Sequence, residues 1–213
     1  MNRVPFEFMQ LAVWDQLVKK YNLNPTQIDQ FARYLALVQE HSELFNLTAI
    51  KDAAGIIAYH FQDSLAISNY VDFNKLSMIA DVGSGAGFPG VPLKILFPHL
   101  NLILIEVSKK KIAFLNMVFE KLKLENCQVW DMDWRTFLRK TDEPIELFVS
   151  RASLHTDELM RMFKPSCPYN NRQLVYWASV EWQITKQEEP FFEREIEYMV
   201  KTKKRRLIFF ARH

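Results

Sequence analysis

Four of the five glycines in this chain of 213 residues, Gly83, Gly85, Gly87 and Gly90, fall within eight positions. Such crowding marks a backbone that turns tightly and lets another molecule approach closely. The residues before them, Met78 to Val82, form a short apolar run, and Val91, Leu93 and Leu96 after them suit a helix. A strand-to-helix turn of this kind is where ligands bind in a doubly wound sheet. A dinucleotide fingerprint would need a glycine where Phe88 stands, and a phosphate loop would need Gly-Lys-Ser or Gly-Lys-Thr, which the chain lacks. The spacing is G-x-G-x-G preceded by Asp81, whose carboxylate suits an ammonium group. Glu106 ends the next apolar run, where a carboxylate can accept both hydroxyls of a ribose. A ligand with an ammonium, a ribose and no phosphate is S-adenosylmethionine. The bland alternatives are a structural turn without a ligand and, for Glu106, a strand end facing solvent.

Other chemistry-bearing residues are sparse. Cys127 and Cys167 lie far apart with no C-x-x-C spacing, which argues against a disulfide framework or a zinc site. No Cys–His pair, metal cluster or nucleophile elbow is apparent, so no metal is expected. His60, Asp63 and Ser64 fall on one side of a helix, as substrate contacts or as a structural network. Trp130, Trp134, Trp177 and Trp182 could stack bases, although core positions explain them more simply.

The elements that must carry these residues change character along the chain. Residues 1–75 read as a helical extension. Asn24-Pro25-Thr26-Gln27 starts a helix that carries Ile28, Phe31, Leu35 and Val38 at helical spacing, and Asp52 caps another with Ile57, Phe61 and Leu65. Phe45 to Ile50 between them is a loop. Residues 76–213 alternate strand and helix: strands at Met78 to Val82, Leu100 to Val107, Gln128 to Met132, Ile145 to Ser150 and Gln173 to Ala178, with a helix over 109–124. Two closing strands, Glu197 to Val200 and Arg206 to Ala211, flank a basic turn. The pattern predicts an α/β fold with a mostly parallel sheet and an antiparallel last strand.

Composition narrows the class further. An apolar fraction of 49% is enough for a core. The longest apolar runs are too short to cross a membrane, and Met1 to Pro5 does not begin a signal peptide. A cytoplasmic, monomeric protein without membrane association is the resulting expectation. The net charge is +2, with the acidic excess in residues 1–75 and the basic excess after them, notably at Lys201, Lys203, Lys204, Arg205 and Arg206.

The run Asp81-Val82-Gly83-Ser84-Gly85-Ala86-Gly87-Phe88-Pro89-Gly90-Val91-Pro92-Leu93 resembles the RsmG or GidB family of bacterial 16S ribosomal RNA guanine-N7 methyltransferases. So do Asn46 to Asp52, the group His60, Asp63, Ser64 and Leu65, Lys110-Lys111 with Phe114-Leu115, Ser150-Arg151-Ala152, and Arg205 to Ile208. The resemblance implies a class I, Rossmann-like methyltransferase sheet of seven strands, S-adenosylmethionine as cofactor, and 16S ribosomal RNA or the small ribosomal subunit as partner. It places Gly83 and Phe88 at the cofactor, with Asp133, Trp134 and Arg135 near its adenine. Arg151 would stand where cofactor and target base meet, with His60 and Asp63 as further candidates for the catalytic centre. Lys109, Lys110 and Lys111, in a helical first turn that disfavours cations, would contact RNA phosphates together with Arg205 and Arg206. The chain departs from the family at Tyr59 and Ala113, where arginine is usual, at Ala178, where lysine is usual, and in Pro168-Tyr169-Asn170-Asn171, where the usual turn is Pro-Gly-Gly. Two other readings therefore stand beside it: a catalytically degenerate RNA- or ribosome-binding relative, and a small-molecule methyltransferase.

Overall fold

The computed structural model describes residues 9–151 and 154–212, so Ala152 of the Ser-Arg-Ala motif lies outside the described residues. Seven strands, β1 Met78–Val82, β2 Asn101–Glu106, β3 Cys127–Asp131, β4 Leu147–Arg151, β5 Gln173–Ala178, β6 Phe192–Val200 and β7 Lys203–Phe210, form one sheet in the order β3-β2-β1-β4-β5-β7-β6. Neighbours from β3 to β5 are parallel, and β7 runs antiparallel to both β5 and β6. The order reverses on either side of β1, and this is where an open parallel sheet leaves a crevice at its carboxyl edge.

Both faces of the sheet are covered, which explains why its central strands are mostly apolar. Alternate residues feed opposite cores. Ile79, Leu102, Leu104, Val149 and Phe209 pack on the side of the N-terminal helices, whereas Ala80, Ile103, Ile105, Phe148 and Phe210 join Trp134, Phe137, Phe163 and Tyr169 on the other. Helices α1 Ala12–Lys20 and α2 Pro25–Phe45 share the first core with α5 Gly90–Leu96 and α6 Lys109–Leu122. The start of α2 follows its sequence: Asn24 and Gln27 form a reciprocal capping box with Pro25 inside it. Gln27 also donates to the carbonyls of Ile95 and Leu96, 3.0 Å each, so the cap of α2 doubles as a clamp on the end of α5.

Between α2 and β1, a helical segment begins as α3 Ala53–Ile56, where Asp52 accepts from the Gly55 N–H at 2.7 Å. It widens into a π-helical stretch at Ile57–Gln62 and narrows again through α4 Asp63–Leu65. Wide turns of this kind recur at functional sites, and here the stretch presents Tyr59 and His60 to the crevice. The remaining helices are α7 Trp134–Lys140 and the short α8 Thr156–Leu159.

The closing hairpin is longer than its apolar residues predict. β6 begins at Phe192 rather than Glu197, and β7 at Lys203 rather than Arg206. An edge strand has a single hydrogen-bonded neighbour and can keep charges along most of its length. Glu193, Arg194 and Glu195 are accordingly exposed.

Candidate functional site

A cavity of about 650 Å³ opens over the carboxyl ends of the central strands. The glycine turn forms its floor. The N–H groups of Gly83 and Ser84 donate to the Ile105 carbonyl at 2.9 and 3.2 Å, which ties the turn to β2. Gly85 lies at φ +59°, and a Cβ there would meet little but the Gly83 carbonyl at 3.9 Å. Its missing side chain therefore leaves room in the cavity. Gly87 differs: at φ +96°, its Cβ would lie 2.6 Å from Val91 Cγ2 and 2.9 Å from Tyr34 Oη. Gly87 is needed for packing against α2 and α5.

Asp81 lies deeper. Its carboxylate is fully buried and accepts from the Gly90 N–H at 2.8 Å. It pins the start of α5 to β1, and its other oxygen has no hydrogen-bond partner among the described residues. Burial raises its pKa to about 7, against the lowering effects of the Gly90 hydrogen bond and Arg151.

Glu106 does face the cavity. One oxygen accepts from the N–H groups of Val107 and Ser108 at 2.9 Å each, and the other from Gly85 N–H at 2.9 Å. The carboxylate thus joins the glycine turn to the end of β2, and the oxygen bonded to Gly85 keeps one lone pair for a hydroxyl donor. Ser108 occupies the N-cap of α6, but its side chain makes no capping bond.

Asp133 and Trp134 line the next part of the wall. Asp133 caps α7, accepting from Thr136 N–H at 3.0 Å, and Trp134 is held by its indole N–H on the Glu158 carbonyl at 2.9 Å. Arg135 points away, in a two-bond ion pair with Glu158 at 2.8 Å, and lines no part of the cavity. Helical geometry turns consecutive residues by about 100°, so the three could not share one face.

Opposite the glycine turn stands a buried polar network. The Arg151 guanidinium, at the end of β4, donates to the Tyr59 carbonyl at 3.2 Å, to Asp63 at 3.2 Å and to His60 Nδ1 at 2.9 Å. Its carbon also lies 5.1 Å from the centre of the Phe88 ring, and that ring stacks on His60 at 4.6 Å. Asp63 accepts in addition from Tyr198 Oη at 2.7 Å, and Trp177 donates to the Asp63 carbonyl at 2.9 Å. His60 Nε2 is 2.7 Å from Thr48 Oγ1. Burial, then Arg151 and Arg205, lower the His60 pKa to about 3. The imidazole is therefore neutral, and this pairing fixes the proton on Nε2. Ser64 is buried beside this group but takes no part in it.

The Asn46 to Asp52 motif acquires a physical sense here. Asn46 ends α2 in the left-handed conformation, Leu47 and Ile50 form cavity wall, Thr48 holds His60, and Asp52 caps α3. Thr48 and Tyr198, together with Tyr34, whose hydroxyl donates to the Ala86 carbonyl at 2.5 Å, went unread in the sequence.

The basic residues separate into different roles. Lys109 is exposed and paired with Asp131, Lys110 is exposed, and only Lys111 of the three reaches the cavity. They form no common face. Arg205 lines the cavity, with its Nε 3.9 Å from Asp63. Arg206 donates instead to the carbonyls of Ser179, Val180 and Trp182 and approaches Glu195 at 3.4 Å. Its guanidinium clasps the loop after β5 and is taken up by the protein itself. Of the departures, Tyr59 and Ala178 line the cavity, whereas Ala113 is exposed on α6. Among the described residues, no group of three or more His, Cys, Asp or Glu could hold a metal ion, and no helix is long and apolar enough to cross a membrane.

Comparison with solved structures shows the same fold. The METTL16 methyltransferase domain superposes with a TM-score of 0.59 at 12% identity, covering 100% of this chain and 97% of that one. A human methyltransferase 10 domain containing protein gives 0.59 at 11%, covering 84% and 95%. A mutant of MtNAS in complex with S-adenosylmethionine gives 0.56 at 11%, covering 93% and 84%. In sequence, the ribosomal RNA small subunit methyltransferase G of Halalkalibacterium halodurans is 39% identical over 147 residues, 68% of this chain and 62% of the relative. That of Listeria monocytogenes is 38% identical over 163 residues, 76% and 68%. The chain thus spans about two thirds or less of the length of these curated relatives. The family model described as rRNA small subunit methyltransferase G matches residues 27–209, and the chain belongs to that family, GidB.

Proposed function

We propose that this protein transfers a methyl group from S-adenosylmethionine to guanine N7 of 16S ribosomal RNA. One observation carries the reading: the Gly85–Glu106 pocket and the Arg151–His60–Asp63 network face each other across a single cavity. Gly85 leaves the space that a close-lying ligand needs, Glu106 has one free lone pair for a ribose hydroxyl, and Asp133 and Trp134 offer a wall for the adenine. The relatives' names supply the substrate class, ribosomal RNA of the small subunit.

The cofactor, when bound, supplies an electrophilic methyl on a sulfonium, which becomes a neutral thioether as the positive charge passes to the methylated base. Guanine N7 has a lone pair and no proton, so no general base is required. The neutral, fully engaged His60 agrees with this: its Nδ1 lone pair is held by Arg151, and it is a positioning residue. Arg151 has five N–H groups, of which three are held by Tyr59, Asp63 and His60. Its fixed plane directs the remaining donors toward an acceptor such as guanine O6. The protein's contribution is orientation, which can supply several kcal/mol of barrier reduction, on the order of 7–11 in well-aligned cases.

The departures at Tyr59 and Ala178 keep a degenerate RNA-binding relative as the second reading. Labelled S-adenosylmethionine incubated with unmodified small ribosomal subunits separates the two. Label in the 16S RNA supports transfer. Stable association of the loaded protein without label would favour the degenerate relative.

A further inference from the structure

Tyr59, on the cavity wall, lies beneath Lys201 of the β6–β7 turn and Lys203, the first residue of β7. Lys203 Nζ is 4.7 Å from the centre of its ring and Lys201 Nζ 5.8 Å. Both lysines are exposed, and among the described residues neither forms an ion pair. Their neighbours are otherwise engaged. Lys204 pairs with Glu197 at 2.8 Å, and Arg206 clasps the Ser179 and Val180 carbonyls. Strand alternation sorts the four: Lys203 and Arg205 share the face toward the cavity, and Lys204 and Arg206 share the other. Arg205 lines the cavity, and its Nε is buried without a hydrogen-bond partner.

A line of cations therefore leaves the cavity, from Arg151 through Arg205 to Lys203 and Lys201. We propose that Tyr59, Lys201 and Lys203 form a track for the single-stranded RNA that flanks the target guanine, with the two lysines on its phosphates. The proposal rests on the RNA-methyltransferase reading and adds to it the path by which the strand enters. Two ammonium groups gathered on one ring repel each other, and a phosphate beside them relieves that repulsion. The ring faces give the lysines a fixed seat that does not consume their charge. A groove that combines phosphate-binding cations with an aromatic surface suits a single strand, whose bases are free to splay.

The test is a comparison of the full-length wild type with Lys201→Asn/Lys203→Gln, Tyr59→Leu and Tyr59→Phe. Asparagine at 201 tolerates the left-handed backbone found there, φ +51°. For the double variant, KM for unmodified small subunits should rise on the order of tenfold at physiological salt, with kcat and S-adenosylmethionine affinity unchanged. The slope of log binding constant against log salt, measured with unmodified 16S RNA transcript, should flatten by about 0.7 per lost phosphate contact. Tyr59→Leu should raise KM in the same direction, whereas Tyr59→Phe, which retains the ring, should behave as wild type. If the wild type methylates the RNA and the double variant keeps its KM and salt slope, the track is wrong while the methyltransferase reading stands. If the wild type neither binds nor methylates the RNA, that reading fails and the track fails with it.

Discussion

Nη2 of Arg151 lies 2.9 Å from Nδ1 of His60, an arrangement that holds only while that nitrogen carries no proton. A guanidinium cannot accept a hydrogen bond, so protonating His60 would set two donors and two positive charges against each other. The network that ties β4 to the π-helical stretch thus depends on a neutral imidazole.

Acid should loosen this network. The folded His60 pKa is lowered to about 3 from 6.5, so between these values the unfolded chain binds the extra proton. Its stability contribution is complete above about pH 6.5 and is lost as pH falls toward 3, about 5 kcal/mol in all. Denaturant unfolding should show a shallower decline below pH 6 for His60→Asn than for wild type. Parallel declines would separate the acid sensitivity from this residue.

Asp81 tilts stability the other way. Its folded pKa is raised to about 7 from 3.8, so the contribution present below pH 4 is lost as pH rises through 7. Asp81→Asn preserves an acceptor for the Gly90 N–H and removes the buried charge. Thermal unfolding at pH 8 should find the variant at least as stable as wild type. A clear loss of stability there would mean that the carboxylate is bound by something the fold itself does not supply.

Much of the sheet can be read from sequence for a simple reason: β1 and β5 are apolar runs covered on both faces, and their bounds match prediction. β6 escapes because an edge strand with exposed Glu193, Arg194 and Glu195 shows no apolar alternation to read. At the site, spacing locates a turn but not which way each residue faces. Gly85 and Gly87 look equivalent in G-x-G-x-G, yet one borders open space and the other borders Tyr34 of α2, a distant part of the chain. Arg205 and Arg206 are a case in which the information was available, since adjacent strand residues must face opposite ways. Tyr198 on Asp63 carried no local signal, because β6 and α4 meet only in the folded chain.

Glu106 should matter twice. Glu106→Ala removes the acceptor for Gly85, Val107 and Ser108 N–H groups as well as the proposed ribose anchor. Calorimetry should find S-adenosylmethionine affinity weakened by about 2–4 kcal/mol. Glu106→Gln should lose less. Unchanged affinity in both variants would remove this residue from the cofactor site.

Tyr34 should act on the glycine turn without touching a ligand. Tyr34→Phe leaves the buried Ala86 carbonyl without its 2.5 Å donor, at a cost of about 1–3 kcal/mol in urea denaturation. A change under 0.5 kcal/mol would show that the turn is held by β2 alone.

Arg206 should behave as a structural residue despite its place in the basic run. Arg206→Ala frees the Ser179, Val180 and Trp182 carbonyls, and a stability loss of about 2 kcal/mol is expected. The salt dependence of RNA binding should be that of wild type. A flatter slope with unchanged stability would reassign Arg206 to the RNA.

Methylation of guanine N7 of 16S RNA is read most directly by nucleoside mass spectrometry of 16S RNA from a bacterial strain that lacks its own enzyme of this family and expresses this protein. 7-Methylguanosine should reappear with the wild type and be lost with Arg151→Ala at matched amounts of folded protein. Absence of 7-methylguanosine with folded, cofactor-binding wild type, or its persistence with Arg151→Ala, would contradict this expectation.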